Sequence, residues 1–413
     1  MNRHQQPPFA GGLKLPAGLV DEKRLYATVF IDLGGIQLGP VDTMRRVNDA
    51  IFSALAQIHS AAIQGQALMK VHIGESKCTT RMNPALTVGC TRYLHNQGAD
   101  VVVAGDTTVA YTGPRGHRQN SGAHAESYRQ LAIDHGWHSK GAAAVPFVVL
   151  DRSGTFAPAG YKRDPQRGTV TVDGIQRFKD FYPAEGFTAA DFVINHAHLT
   201  LHGLAGVAGC IKSIAMGCSD LPGKLRMHQS LLPTFAGLNC KNCGVCARHC
   251  PESAIVPGQE KKDTPTVISD RCIGCGECVS VCKSKAVKLM ANEIEDWRLG
   301  EETLPERMAD YAMGLMHHRW DSTIHLMHLY TITELCDCVD CRQKPMVEDI
   351  GFLLGKNPFA IDRLAAQLLA QRLKPSAAEA LGGKLTSAEK TANYVKQHYG
   401  IRTDGPVVRQ STL

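Results

Sequence analysis

Several features that define large functional classes are missing from this sequence. It has no run of about 18 apolar residues, so no transmembrane helix is expected. Its first residues have no apolar stretch of the kind found in secretory signal peptides. No GxGxxG follows a predicted strand, and there is neither a Walker loop nor a GxSxG sequence, so no bound dinucleotide is indicated. Lys and Arg form no dense run and the net charge is only +6, which argues against nucleic-acid binding. We expect a cytoplasmic protein that has neither nucleic acid nor a membrane as a partner.

The hydrophobic pattern outside the middle of the chain alternates between strand-like and helix-like segments. Strands are predicted at residues 25–33, 68–74, 101–104, 145–150, 190–195 and 347–354, and helices at 43–63, 83–97, 123–135 and 357–373. This alternation is typical of a mainly parallel sheet covered by helices, so the predicted fold class is α/β with helices on both faces. From 231 to about 290 the periodicity is lost, and Cys, Gly and Pro dominate. A length of 413 residues suits two or three domains.

Eight of the fifteen cysteines form two runs with identical spacing. The run Cys240, Cys243, Cys246 and Cys250 recurs 32 positions later as Cys272, Cys275, Cys278 and Cys282, which indicates a duplicated half-domain. The CxxCxxCxxxC spacing is typical of two [4Fe–4S] clusters in which the fourth cysteine of each run ligates the other cluster. The predicted ligands are therefore Cys240, Cys243, Cys246 and Cys282 for one cluster, and Cys272, Cys275, Cys278 and Cys250 for the other.

This cysteine-rich stretch, about fifty residues long, resembles the bacterial two-cluster ferredoxins. One departure is Lys283, which follows Cys282 where proline is usual in those proteins. The alternative is a pair of zinc sites, although zinc prefers two separated CxxC pairs. Clustered cysteines in a long chain favour metal ligands in a reducing compartment over a secreted disulfide framework. We expect the clusters to act as a low-potential one-electron relay that receives its electrons from a redox partner protein.

Two further segments contain candidate site residues. Cys336, Cys338 and Cys341 place three thiols within six residues, and with Cys218 or a histidine as a fourth ligand they predict a third metal or iron–sulfur centre. The alternative is that these cysteines are small buried side chains, as free cysteines commonly are. This alternative is the preferred interpretation for Cys210.

Histidines and a lysine accompany these cysteines. His198 and His202 are spaced i, i+4 and would share one face of a helix. Together with Lys212, which follows a glycine-rich turn, they are candidate catalytic residues that bind an anionic substrate group or supply a proton. The alternative is surface or core histidines and a solvated lysine. A looser group, consisting of His317, His318, His325 and His328, is interpreted as histidines on a helix surface.

Both segments resemble the family catalogued as domain of unknown function 362, whose members often carry an inserted ferredoxin module. The resemblance rests on His198-xxx-His202, Lys212, Met216-Gly217-Cys218, Cys336-Asp337-Cys338, Asp349-Ile-Gly351, Ala360-Ile361-Asp362 and Val71-His72-Ile73-Gly74-Glu75. It covers residues 25–370 and implies that the ferredoxin module interrupts a single α/β domain. The implied organisation is an α/β domain in two parts, 1–230 and 293–413, the second part ending in C-terminal helices, with the 2[4Fe–4S] insertion at 231–292.

Two hypotheses of function follow. In the first, the chain is an iron–sulfur reductase whose two clusters feed electrons to a site in the α/β domain, where a small-molecule substrate is reduced. In the second, it is an electron-transfer or metal- or cluster-delivery protein without its own substrate. The cysteines outside the ferredoxin module discriminate between them: thiols beside a cavity favour catalysis, and thiols dispersed in packed core favour a carrier.

Overall fold

The computed structural model of the chain describes residues 25–111, 113–117, 119–120, 125–152, 169–228, 232–250, 253–268, 271–272, 278, 282–284, 286–289 and 304–411. The strands are β1 (Thr28–Asp32), β2 (Gln66–Lys70), β3 (Val101–Asp106), β4 (Phe147–Val149), β5 (Val170–Thr171), β6 (Asp180–Phe181), β7 (Phe192–His198), β8 (Thr200–His202), β9 (Gly206–Ala208), β10 (Pro233–Phe235), β11 (Ile255–Val256), β12 (Thr266–Val267), β13 (Val287–Leu289), β14 (Thr323–Leu329), β15 (Gly351–Gly355) and β16 (Val407–Ser411).

The helices are α1 (Val41–Ile58), α2 (Val88–Asn96), α3 (Glu126–Asp134), α4 (Glu185–Thr188), α5 (Cys210–Ala215), α6 (Leu221–His228), α7 (Val245–His249), α8 (Leu304–Met316), α9 (Pro358–Arg372), α10 (Pro375–Ala380) and α11 (Gly382–Tyr399). A 3₁₀ turn at Pro84–Thr87 leads into α2. The predicted helix at 357–373 is confirmed as α9, whose cap is Asn357, a residue that accepts hydrogen bonds from two amides of the first turn.

Eight strands form the central sheet in the order β16-β1-β15-β14-β7-β2-β3-β4. β15 is antiparallel to both of its neighbours, whereas the other adjacent pairs are parallel. The mainly parallel α/β fold is therefore confirmed. The edge strand β16, which pairs with β1, and the central strand β14 were not among the predicted strands.

The two faces of this sheet are both covered by helices. Along β2, Ala67 and Met69 pack into the same hydrophobic cluster as α1 and α2, whereas Leu68 packs into the cluster that contains residues of α5 and α8. Alternate strand residues point to opposite faces, so consecutive residues in the middle of the strand are apolar, and all five positions of β2 are buried. Strands of this kind appear in the sequence as short continuous apolar runs.

Two corrections concern histidines. His198 and His202 do not lie on a helix: His198 is the last residue of β7 and His202 the last residue of β8. His325 and His328 are also not helix-surface residues, because both are fully buried in β14. β7 and β14 are interior strands that are buried at every position, and β8 forms a hairpin with β9 beside the sheet.

Residues 232–289 contain two small antiparallel sheets, β10–β13 and β11–β12. The strands follow the 32-residue repeat. β10 and β12 each precede a cysteine run, β11 and β13 each follow one, and each sheet pairs a preceding strand with a following strand. The amide of Ala236 donates to the carbonyl of Ala286 at 2.8 Å, and the amide of Ile268 donates to the carbonyl of Ala254 at the same distance. The duplication in sequence is thus also a duplication in backbone hydrogen bonding.

No helix in the described part of the chain is both long and apolar enough to span a bilayer.

Candidate functional site

A cavity of about 90 Å³ opens at the edge of the sheet where the parallel strands end. Its lining includes Lys70, Asp106 and His198, which are the last residues of β2, β3 and β7. Carboxyl ends of parallel strands are a common position for binding sites in α/β proteins, because loops leave the sheet there and diverge. The volume exceeds what one water molecule needs, about 10–15 Å³ on this measure.

Two thiols and an ammonium group meet at this cavity. Lys212 Nζ lies 3.2 Å from the Cys336 sulfur and 4.0 Å from the Cys338 sulfur. Lys212 is held by α5, whose first two amides, those of Cys210 and Ile211, donate to the buried carboxylate of Asp362 at 2.7 and 3.0 Å. The contact joins residues 124 positions apart in the chain.

The environment of Cys336 stabilises a thiolate. A hydrogen bond from Cys338 contributes most, burial opposes it, and Lys212 and His72 add further stabilisation, so the pKa of Cys336 lies well below its usual range. The same hydrogen bond, with burial, raises the pKa of Cys338 well above its usual range. His72 Nδ1 accepts from the amide of Gly74 at 3.0 Å, which leaves the other ring nitrogen to carry the proton that faces Cys336.

Asp337 lies between Cys336 and Cys338 in sequence, and its carboxylate is held by His198. His198 contacts Asp337 Oδ2 through Nδ1 at 2.6 Å and the carbonyl of Tyr330 through Nε2 at 2.7 Å. Both partners are acceptors, so both ring nitrogens donate and His198 is an imidazolium. Burial alone would lower the pKa of His198, but Asp337 and the Tyr330 carbonyl outweigh it and raise that pKa. His198 is therefore a positioning residue for the Cys336–Cys338 segment.

A second network of charges lines the cavity next to the thiols. Asp106 accepts from Lys70 at 2.9 Å, from Arg115 at 3.1 Å and from the Tyr128 hydroxyl at 2.7 Å. Arg115 also contacts Glu75 at 3.0 Å. Burial would raise the pKa of Asp106, but Lys70 and Arg115 outweigh it and lower that pKa. These buried groups remain charged because each has a partner of opposite sign.

The other predicted site residues lie outside this cavity. Cys218 is buried in the hydrophobic cluster around α5 and α8, where burial raises the pKa of its thiol to about 12. Cys341 is half-buried and does not line the cavity. His202 Nδ1 accepts from the amides of Leu204 and Ala205 at 3.0 and 3.1 Å, so it stabilises the turn between β8 and β9. Cys210 is fully buried, as expected for a small core side chain.

The third metal centre stays a prediction. The cation that the structure describes beside Cys336 and Cys338 is the Lys212 ammonium. Among the residues described, no three His, Cys, Asp or Glu side chains are arranged to hold a metal ion. The geometry favours a thiol–thiolate pair activated by an amine, which can act as a nucleophile or a proton donor.

Four of the described cysteines of the two runs lie together in the small β-sheet region. Cys246 and Cys278 are buried in one cluster with Ile255 and Val287, and Cys250 and Cys282 pack against it. The amide of Ala254 donates to the Cys250 sulfur at 3.2 Å, and that of Ala286 donates to the Cys282 sulfur at 3.3 Å. Amide-to-sulfur bonds of this kind accompany cluster ligation. None of the fourteen described cysteines forms a disulfide, and Cys275 lies outside the described residues.

Several residues of the cavity were not singled out from the sequence. Lys70 and Asp106 follow apolar strand segments directly, and a charged residue at the end of a predicted parallel strand is the signal that would have found them. His196 follows the predicted strand at 190–195 and carries a similar signal. Arg115 and Lys224 carry none, because a loop and helix α6 bring them to the cavity.

Two comparisons with known proteins bear on this site. A family model with the description "Domain of unknown function (DUF362)" matches residues 68–367. The chain is also similar to pyruvate synthase subunit PorD of Thermotoga maritima, with 31% identity over 78 residues that represent 18% of this chain and 77% of that subunit.

Proposed function

Since the chain belongs to the DUF362 family, whose name assigns no activity, we propose from its own residues that it is an iron–sulfur oxidoreductase. Electrons pass from a redox partner protein through two [4Fe–4S] clusters to the cavity at the ends of the sheet strands, where a small molecule is reduced. One cluster is held by Cys240, Cys243, Cys246 and Cys282, and the other by Cys272, Cys275, Cys278 and Cys250. The similarity to a subunit of pyruvate synthase supports a role beside other redox proteins.

The local structure of the described cysteines supports these ligand sets. Cys246 and Cys278, one from each run, share a buried cluster, as expected if each half of the repeat completes the site of the other. The amides of Ala254 and Ala286 donate to equivalent sulfurs 32 residues apart, and such bonds stabilise the negative charge of a ligating thiolate.

The thiol–thiolate pair beside a cavity is the observation that carries the catalytic proposal. If the cysteines outside the module served only packing, Cys336 and Cys338 would be surrounded by apolar side chains, as Cys218 is. Instead they line a cavity with Lys212 in contact. A buried thiolate stabilised by an ammonium group is costly to maintain, so a chemical role accounts for it better than packing.

When bound, the clusters supply single electrons at low potential. The protein supplies the remaining functions. The Cys336 thiolate and the Lys212 ammonium face the cavity, and the protonated Cys338 thiol is a source of a proton for a reduced substrate atom. His198 fixes Asp337 and therefore fixes the backbone from which both thiols project. Buried ion pairs of Asp106, Lys70 and Arg115 lie next to these groups.

Iron and sulfide analysis of protein purified without oxygen, together with electron paramagnetic resonance, tests the two clusters. We expect about eight irons per chain, and a third cubane would raise this to about twelve. Cys246→Ala and Cys278→Ala should each lose about four irons and one resonance signal. Cys210→Ala, which changes a buried cysteine that is assigned to no metal centre, is the control and should keep the irons and both signals. A colourless or zinc-loaded protein would contradict the proposal.

Reoxidation of chemically reduced protein tests the catalytic cavity. Visible absorbance is followed without oxygen while small compounds with carbonyl, enoyl or disulfide groups are added one at a time. We expect at least one compound to reoxidise the wild type much faster than Cys336→Ala at equal iron content. Equal rates for every compound would leave the cavity without a role in electron transfer.

The second candidate function is an electron-transfer or cluster-delivery protein without its own substrate. It is favoured by the similarity to a protein named as a subunit of a larger enzyme. In that case an acceptor protein would reoxidise the wild type and Cys336→Ala at the same rate, and no small compound would do so.

A further inference from the structure

The charged groups that line the cavity do not balance. Its lysines and arginine are Lys70, Arg115, Lys212 and Lys224. Asp106 contacts Lys70 and Arg115, Glu75 provides a second carboxylate for Arg115, and the Cys336 thiolate contacts Lys212. The remaining lining carboxylate, Asp337, is matched by the His198 imidazolium. Lys224 is the fourth cation, and no anionic group among those named above contacts it.

Lys224 has hydrogen bonds but no ion pair. It is buried in α6, and its Nζ donates to the Thr107 hydroxyl at 2.7 Å and to the carbonyl of Ser219. Within the described chain, no carboxylate lies within ion-pair distance of it. Burial lowers the pKa of Lys224, and the more distant carboxylates of Asp151, Asp106 and Asp220 only partly oppose this. An ammonium group has three N–H donors, so one of them is left for a ligand.

A second, independent group in the same cavity also lacks a partner. His196 is fully buried on β7, and its Nδ1 contacts His328 Nε2 at 3.1 Å, but its Nε2 has no hydrogen-bond partner among the described residues. Burial, with Lys70 nearby, lowers the pKa of His196 to about 3, so the ring is neutral. Its Nε2 belongs to a side chain that lines the cavity.

The tautomer of this histidine pair follows from the cost of unpaired donors. His328 Nδ1 also has no partner, and it lies among aromatic rings. If His328 Nε2 donates to His196 Nδ1, the unpaired atom of His328 is an acceptor, and the unpaired atom of His196 is an N–H. Each arrangement leaves one N–H and one acceptor unpaired. The reverse arrangement would place the unpaired N–H on His328 among the rings, whereas this one places it on His196, a residue that lines the cavity, where a ligand or water can accept from it. We therefore assign the N–H of His196 to Nε2.

We propose that the cavity binds a small carboxylate, with the carboxylate oxygens accepting from Lys224 Nζ and His196 Nε2. One unmatched positive charge calls for a monoanion, two donors suit a group with two oxygens, and the volume of about 90 Å³ admits only a small molecule. This inference rests on the proposed function, since it names the substrate class of the same site. It places the carboxylate in the space that Cys336 and Lys212 also line.

Binding of acetate to the iron-loaded full chain tests this inference without any redox step. Saturation-transfer NMR of the acetate methyl group measures the affinity, and acetamide is the neutral probe of equal shape. We expect acetate to bind and acetamide to bind at least about tenfold more weakly. Lys224→Met should weaken acetate binding by about tenfold or more, whereas Lys140→Met, at an exposed lysine outside the cavity, should leave it unchanged.

His196 gives a second comparison that does not depend on the folding of the Lys224 variant. His196→Gln keeps an N–H donor and should bind acetate within a few-fold of the wild type, whereas His196→Leu should lose about tenfold. Equal binding of acetate and acetamide, or unchanged binding in both Lys224→Met and His196→Leu, would overturn the inference. Inorganic phosphate binding more tightly than acetate would overturn the carboxylate assignment in favour of an oxyanion site.

Iron analysis of the same samples distinguishes a failure of the proposed redox function from a failure of the anion site. Acetate binding without iron would remove the redox function and leave the anion site. Iron at the expected content without Lys224-dependent acetate binding would remove only the anion site.

Discussion

Replacing Lys212 by methionine removes the cation 3.2 Å from the Cys336 sulfur while keeping a side chain of similar length. At this distance and an effective dielectric constant of about 20, the Coulomb attraction is about 5 kcal/mol. The Cys338 thiol and His72 remain beside the sulfur, and water enters the vacated space, so we take about half of the attraction as lost. A loss of about 2.5 kcal/mol lowers the ratio of thiolate to thiol at Cys336 about 70-fold.

The rate of alkylation by iodoacetamide reports this ratio, because the thiolate is the reactive form. Mass spectrometry of the peptide that contains Cys336 distinguishes it from the other cysteines, and the rate is measured as a function of pH. We expect the variant to react much more slowly near neutral pH and to approach the wild-type rate only in alkaline solution. Lys212→Arg keeps the charge and should follow the wild-type profile. A Lys212→Met profile that coincides with that of the wild type, at equal iron content, would refute the electrostatic account of this site.

Two further predictions concern stability. Gly217→Ala should destabilise the protein by about 1–3 kcal/mol, because a Cβ there would lie 2.6 Å from Lys70 Nζ and 2.3 Å from the carbonyl of Ser213; thermal unfolding measures it. Gly203→Ala, where a Cβ meets nothing within 4 Å, is the control, and equal melting temperatures would contradict the prediction. Burial, opposed by two backbone amides, raises the pKa of the Asp362 carboxyl to about 7. The protonated Asp362 carboxyl therefore stabilises the folded state. This contribution is complete below the pKa of the unfolded state, about 4, and is lost as the pH rises through 7. The melting temperature of Asp362→Asn, which cannot ionise, should therefore fall less than that of the wild type between pH 5 and 7. Parallel curves would show that Asp362 does not titrate there.

The strand and helix pattern is the part of the fold that local sequence predicts best. Apolar runs such as residues 101–104 appear as strands because a strand covered on both faces has no polar position to interrupt it. The segment around His198 and His202 shows where the same reasoning fails. A spacing of four is an even number, so it places two residues on one face of a strand as well as on one face of a helix. Val193, Ile194 and Thr200 are β-branched and would have favoured the strand.

The candidate site depends on contacts between distant parts of the chain. Cys336 and Cys338 are conspicuous in the sequence, but the lysine that adds to the stabilisation of the Cys336 thiolate lies on a different element, 124 residues away. His325 and His328 appeared to be surface residues because histidine is rarely buried without partners, and their partners, Asn195 and His196, lie on the neighbouring strand β7. Spacing within one segment carries no information about such pairs.

The antiparallel pairing of β10 with β13 has a consequence for how this protein could have arisen. Pro233 and Leu289 face each other across that ladder, so the chain leaves and re-enters at points about 5 Å apart. A gap of this size is bridged by a short turn, so the whole cysteine-rich segment can be gained or removed in one genetic event while the order of the eight large strands stays the same. An ancestral sheet protein could therefore have acquired the whole cysteine-rich segment in a single step.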